Sequence, residues 1–437
     1  MLDVRQKRTG RRTFLRTTAA LPAAGALAWS ASELGTINTG IIGTGVQGQL
    51  LLKQINPNYL NVSAVCDIHP VNREAGLRTV HDLNNSEAKA YKSYQDVLAN
   101  HEIEAVIIAA PLWLHAPTAI AALNAGKHVF CETAMAKTMD ECRAMNQAAS
   151  KNNRVLQIGH QRFYNPVYHD GHQIIKSGLL GEIYHVRALW HQNNNWKRRI
   201  TREDERALSN GFSPQSHEYE SLNHLVNWRL YVNYSGGLAS ELMTHQIACV
   251  NWFLGATPTN VFASGGTYKY TENDRSVPDH IFCTFAYPNN CTLTYSAIQT
   301  NSHDEYYEMY MGTQGTLIMS GETQSYLFWE SGFEPDLAKR ATEMSIANEA
   351  AGPVGAAGPT QQPRRSRLDE GRQSEENNGM NALEPYRIEL EGFAHAIRAG
   401  APVLCNGETA MTAAAAAFAA NQAISSEQKE RINTAIA

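Results

Sequence analysis

Glu241 and His245 stand four residues apart in a run, Ala239 to Leu254, whose apolar positions recur at helical spacing. Residues four apart on a helix share one face. A carboxylate beside an imidazole raises the histidine pKa and fixes its tautomer, as a general acid/base requires. The same spacing also serves a structural pair on a helix surface, and on spacing alone the two readings weigh about equally. Gly236 and Gly237 just before the run favour chemistry.

A second constellation is suited to holding a phosphate. Gly43, Gly45 and Gly48 are spaced G-x-G-x-x-G, with Thr44, Val46 and Gln47 between them. The apolar run Ile37 to Ile42 precedes them as a buried strand, and Leu50-Leu51-Leu52 continue as a helix. Gly43 permits a tight turn, Gly45 lets backbone approach a pyrophosphate, and Gly48 lets helix and strand pack closely. The helix N-terminus adds free N–H groups and a partial positive charge. Asp67 ends the next strand, about 20 residues on, where an acid accepts hydrogen bonds from an adenosine ribose. The spacing predicts NAD; Arg73, six residues later, keeps NADP open through a 2′-phosphate.

The elements that position these groups alternate. Strands are expected at Asn61–Cys66, Ala105–Ala110, Lys127–Cys131 and Val155–Gly159, with helices between them. That pattern predicts an α/β fold with an N-terminal doubly wound parallel sheet over 33–160. Ligands sit at the carboxyl ends of such strands. Pro111, His115, Glu132, His160 and Gln161 should therefore line one crevice with the glycine turn. From 161 to 437 the pattern becomes α+β, with strands at 181–191, 260–267, 280–286, 292–299, 306–312 and 316–320 in a mostly antiparallel open sheet. His191, the Asn193-Asn194-Asn195 run, Trp196 and Arg198 follow a strand end, and Arg162, Tyr164, Arg229 and Tyr231 are of similar kind. Such donors and ring faces suit a polyhydroxylated ring, or equally a plain polar loop.

Residues 1–32 stand apart. Arg11-Arg12-Thr13-Phe14-Leu15-Arg16 is a twin-arginine pattern, followed by a mildly apolar run and small residues, as in a Tat-type export signal. The run is too short for a membrane span, so no membrane partner is expected after cleavage, and the protein should be periplasmic or otherwise extracytoplasmic. Without that segment the net charge of −5 becomes about −10, which argues against nucleic acid. The seven cysteines are scattered with no C-x-x-C, so neither a disulfide framework nor a metal site is expected. Residues 334–384 read as a low-complexity loop insertion.

The chain resembles the Gfo/Idh/MocA oxidoreductases. The matching residues are Gly43-x-Gly45-x-x-Gly48, Cys66-Asp67, Ala110-Pro111-x-x-x-His115, Gly126-Lys127-His128-Val129, Glu132, Gly159-His160-Gln161-Arg162, and Gly236-Gly237 through His245. The resemblance implies a two-domain NAD(P)-dependent enzyme acting on a sugar or cyclitol by hydride transfer, a homo-oligomer (dimer or tetramer) built on the second sheet, and His245 as acid/base. In that family a lysine and a proline usually follow the glutamate; here Thr133 and Ala134 stand there. A threonine hydroxyl donates a hydrogen bond but is a poor acid or base at neutral pH. Export also implies a cofactor carried out with the folded protein and held tightly. The alternatives are then redox-neutral glycoside cleavage or epimerisation, a simple dehydrogenase releasing NADH, and a non-catalytic sugar- or nucleotide-binding homologue.

Overall fold

The computed structural model describes residues 35–84, 87–271, 274–331, 333 and 384–434. The export signal expected over 1–32 and, apart from Glu384, the insertion expected over 334–384 lie outside the described residues.

Six short strands, Ile37–Ile42 (β1), Leu60–Cys66 (β2), Lys89–Tyr91 (β3), Ala105–Ile108 (β4), His128–Glu132 (β5) and Leu156–Gly159 (β6), pair as a parallel sheet in the order β3-β2-β1-β4-β5-β6. Every residue of β4 and β6 is buried, which is why these strands read as unbroken apolar runs rather than alternating ones. Helices His115–Asn124 and Met139–Asn152 cover one face through Ala119, Leu123, Cys142 and Met145. Helix Val46–Gln54 covers the other through Leu51 and Leu52, packed on Ile37 and Ile41. Strand order reverses between β1 and β4, and that reversal opens a crevice at the carboxyl ends of the strands.

Helix Glu384–Ala399 belongs with this first core. Its Leu390, Phe393 and Ala394 pack with Ile37, Leu51 and Phe130. Arg398 donates to Glu104 at 2.9 Å and to the Thr36 carbonyl at 3.0 Å. The helix lies in the part of the chain after residue 160 and packs back on the first core; an amphipathic pattern reports that a face is buried and not against what.

The second sheet contains Ile183–His191 (β7), Asn260–Gly266 (β8), His280–Ala286 (β9), Thr292–Ile298 (β10), Tyr306–Gly312 (β11), Gly315–Ser320 (β12), Gln324–Trp329 (β13) and Glu430–Arg431 (β14). Their order is β13-β12-β11-β7-β10-β9-β8-β14. Only β7 and β10 run parallel; the other pairs are antiparallel. Val186, Ala188, Leu293, Tyr295 and Phe285 point inward to helices Pro166–Lys176, Thr244–Leu254 and Gly407–Ser426. The last of these is almost all alanine and glycine where it is buried, which lets it lie between the two domains. A Cβ at Gly407 would meet Asn146 Oδ1 of the first domain at 1.8 Å. All seven cysteines are buried and unpaired, Cys283 and Cys291 included.

Candidate active site

A cleft of about 560 Å³ lies where the carboxyl ends of β1, β2, β4 and β5 face the second domain. Gly43, Gly45, Asp67, Pro111, His115, Glu132, Thr133 and Gln161 line it from one side. Trp190, Trp196, Arg229, Glu241 and His245 line it from the other.

The glycine turn is built for close approach. Gly43 has φ +91°, and a Cβ there would meet the Ala109 carbonyl at 2.6 Å. A Cβ on Gly48 would lie 2.1 Å from the Gly43 carbonyl oxygen, so the helix can start against the strand only with glycine. A Cβ on Gly45 would meet only Asn72 Nδ2, at 3.9 Å, leaving backbone facing free space in the cleft. No side chain caps helix Val46–Gln54, so its first N–H groups remain available to an anion. Gly48→Ala is expected to abolish nucleotide uptake in equilibrium dialysis and to cost roughly 1–3 kcal/mol of stability, the usual range for overpacking; retained uptake would show that the turn has room to yield.

Asp67 sits at the end of β2 with its carboxylate in the cleft. Oδ2 accepts from the Thr44 amide and Oδ1 from the His69 amide, each at 2.8 Å. Burial raises its pKa, and those two amides oppose the shift. Arg73, a candidate for a 2′-phosphate, does not line the cleft. Its Nη1 donates to the Asp67 carbonyl at 2.7 Å, reaching back past the start of helix Pro70–Asn84. Sequence reasoning missed what stands across from Asp67. His69 Nε2 lies 3.4 Å from Oδ1 of Asp204, which caps helix Arg202–Ser209 together with Thr201. Trp196, Arg198, Arg199, Thr201 and Asp204 thus all line the cleft from one continuous segment.

At the β5 end, Glu132 Oε1 accepts from Gln47 at 2.8 Å and Oε2 from the Thr133 amide at 3.2 Å. Burial pushes its pKa up to about 7 against those two donors. Thr133 Oγ1 lies 3.2 Å from His160 Nε2 and 3.5 Å from Thr244 Oγ1. His160 therefore stands behind Thr133 and does not line the cleft, a correction to its assignment as a direct contact. Burial first, then His245 and Arg162, push its pKa well down. His115 lines the cleft, but Nδ1 is 2.8 Å from the Ala134 carbonyl and Nε2 is 2.9 Å from that of Ala110. It ties the ends of β4 and β5 together. Lys137, the nearest ammonium in sequence to Thr133, points away, donating to the Val232 and Asn233 carbonyls at 2.9 and 2.6 Å.

Glu241 and His245 both line the cleft, but not as a pair. Residues Ala239–Met243 form a π-helical turn, whose wider i→i+5 winding displaces the i,i+4 register expected of an α-helix. Two nearer donors then take the carboxylate: Arg229 Nε at 2.8 Å and Ser235 Oγ at 3.1 Å. The His245 ring lies instead against His160 and Trp190, with centroids 5.5 and 5.9 Å away. Its Nδ1 is buried without a partner among the described residues, leaving Nε2 as the nitrogen open to the cleft. Burial, then the Arg162 charge, push its pKa down to about 3, opposite to the expected rise.

Four residues expected to touch substrate do not line the cleft. Arg162 is 1 % exposed and ion-paired with Glu308 and Glu322. Tyr164 is buried, its hydroxyl accepting from the Leu404 amide at 3.3 Å. His191 bonds Ser296 Oγ at 2.8 Å and the His303 carbonyl at 2.9 Å. Tyr231 is buried beside Tyr219, Leu230 and Tyr234. Ring and guanidinium residues near a strand end serve a core as readily as a ligand, and nothing local distinguishes the two. Trp196 and Arg229 do line the cleft, and so do Trp190, Arg199, Tyr219, Trp228 and Tyr386, which sequence reasoning did not single out. Among the described residues there is no cluster of acidic, histidine or cysteine groups suited to a metal, and no helix long and apolar enough to cross a membrane.

Residues 37–160 match the family described as an oxidoreductase family with an NAD-binding Rossmann fold, and residues 172–433 match its C-terminal alpha/beta domain. The chain is 25% identical to the 2,7-anhydro-N-acetylneuraminate hydratase of Escherichia coli strain K12 over 92% of this chain and 98% of that protein. It is 39% identical to an inositol 2-dehydrogenase of Salmonella paratyphi B over 34% of this chain, a match that spans 44% of that dehydrogenase's length. Among solved structures, levoglucosan dehydrogenase in complex with NADH and levoglucosan superposes with a TM-score of 0.68 at 18% identity, over 91% of this chain and 99% of the other.

Proposed function

We propose, from the premise that this chain belongs to the Gfo/Idh/MocA oxidoreductase family, that it transfers hydride at a ring carbon of a sugar, cyclitol or glycoside, with NAD held in the cleft. One observation carries the reading: His245, with Nε2 free and its imidazole neutral, shares a cleft with the Gly43–Gly48 turn and Asp67. The residues fit the cofactor. The turn and the helix behind it would hold the pyrophosphate, Asp67 an adenosine ribose, and Glu132 the end nearest the chemistry. When bound, NAD accepts or returns the hydride. NAD is favoured over NADP because Arg73 is engaged with backbone and an extra phosphate would meet the Asp67 carboxylate.

The chain's own residues handle the proton. His245 Nε2 takes it from the sugar hydroxyl as that carbon is oxidised and gives it back on reduction. Thr133 Oγ1, positioned by His160, offers the same oxygen a hydrogen bond without charge. Trp190 and Trp196 supply ring faces for the sugar's C–H surface.

The absence of an ammonium from positions 133 to 137 in the cleft favours a second, finer reading. A sugar is oxidised and reduced again within one turnover, as in epimerisation or redox-neutral glycoside cleavage, with cofactor retained. Export by the twin-arginine signal and assembly through the exposed sheet face bearing Phe262 and Phe282 belong to the same proposal. The test is to purify the protein, pass it through gel filtration, and look for nicotinamide absorbance that sugars then change. Nucleotide that is neither held nor taken up would defeat the reading; nucleotide whose redox state no sugar alters would leave a binding protein.

A further inference from the structure

The second-domain wall of the cleft carries more positive charge than it has carboxylates to answer. Arg198, Arg199 and Arg229 line it beside Glu241. Arg229 engages Glu241 at 2.8 Å and lies over the Trp228 ring, 4.3 Å from its centroid. Arg198 is held by its backbone: its amide donates to Asn227 Oδ1 at 2.6 Å, and its carbonyl accepts from Asn227 Nδ2 at 3.2 Å. Asn227 is itself buried, so the position from which the Arg198 side chain enters the cleft is fixed.

The other acids of the cleft are committed. Asp67 accepts from two amides, Asp204 caps its helix and meets His69, and Glu132 accepts from Gln47. Arg198 has no ion pair of its own among the described residues. The charges that act on it are Arg229 and Glu241, which also act on His115 at the β5 end. Burial, and Arg229 next to it, disfavour its charge, and Glu241 only partly offsets them. Arg229 and Arg198 thus answer to one carboxylate, Glu241, on the wall of the cleft that His245 also lines. An arginine that lines a cleft without an ion pair of its own binds a planar anion through two parallel hydrogen bonds.

We propose that the substrate is a sugar acid, whose carboxylate is bound by Arg198 with Arg229 at its side while a ring hydroxyl meets His245. The proposal rests on the oxidoreductase reading above and names its substrate class.

The experiment uses the nucleotide-loaded protein and sugar pairs differing only at C6: glucose and glucuronate, galactose and galacturonate, mannose and mannuronate. The change in bound nicotinamide absorbance gives kcat/KM for each. In at least one pair the acid is expected to exceed the neutral sugar by roughly 10- to 100-fold, the range of a charge-assisted hydrogen bond, and the advantage shrinks as salt is raised. Arg198→Gln is expected to bring the acid-to-neutral ratio toward one, and Arg198→Lys to keep part of it. Equal rates within every pair, or an Arg198→Gln protein that lowers both members alike, overturn the proposal. So does loss of bound nucleotide in Arg198→Gln, which would assign the arginine to the cofactor's pyrophosphate. If neutral sugars change the nicotinamide and acids do not, this inference alone falls. If no sugar does, the oxidoreductase reading falls with it.

Discussion

His245→Ala is expected to lower the rate of sugar-dependent change in bound nicotinamide by roughly 10²- to 10⁴-fold, the usual contribution of a positioned acid/base, while nucleotide remains bound. The nucleotide turn and Asp67 are on the other domain, so retention separates loss of chemistry from loss of the site. Unchanged turnover would remove His245 from the mechanism. The pH profile adds a second check. With its pKa pushed down to about 3, His245 is already the neutral base throughout pH 5–8, so a limb near 6.5 is not expected from it. A limb near 7 belongs to Glu132, whose pKa burial pushes up to about 7, and Glu132→Gln should remove it. Stability follows the same linkage. Between pH 6.5 and about 3 the unfolded chain binds a proton at His245 that the folded chain refuses. The stability associated with a neutral His245 is complete above 6.5 and is lost as pH falls through that window.

Arg162→Ala is expected to destabilise the fold by about 3–5 kcal/mol, the range for breaking a buried ion pair by removing one partner. Arg162 and Glu308 are each 1% exposed at the side chain, and Glu322 closes the other side of the guanidinium at 2.7 Å. Tyr168 donates to the second Glu308 oxygen at 2.8 Å and cannot neutralise it alone. Removing the guanidinium leaves a carboxylate in the core, so the cost exceeds that of the lost contact. Urea denaturation reads the change. Arg162→Met combined with Glu308→Gln should recover part of it, because no buried charge is then left over. A loss below about 1 kcal/mol would show that Glu308 finds another partner or takes up a proton without penalty.

These two residues mark how far the sequence could be read. The Gly43–Gly48 turn, β1, β2 and most second-domain strands were legible because backbone need and burial leave local signatures: a glycine spacing, an apolar run, an alternation. His245 was singled out as an acid/base by its helical spacing, the glycines before it and the family resemblance. Its pairing with Glu241 was not legible, since a single π-helical turn changes which side chains meet and has no periodicity of its own. Arg162 looked like a ligand contact because its partners, Glu308 and Glu322, lie about 150 residues away. Likewise, nothing near Asp204 announces His69, and nothing near Phe393 announces Ile37. Local pattern reports which groups are buried or presented; the partner is decided by topology.

Trp196, Arg198 and Asp204 of the segment 196–204 all line the cleft, with Asp204 beside His69. The segment is one covalent piece of backbone, so two ligands that each order it are thermodynamically coupled. Whichever binds first meets the entropy of fixing these residues, and the second finds them fixed. Nucleotide should then tighten the sugar by some factor, and the sugar must tighten nucleotide by the same factor. Cooperativity between cofactor and substrate follows from their sharing this segment, with no change of shape required.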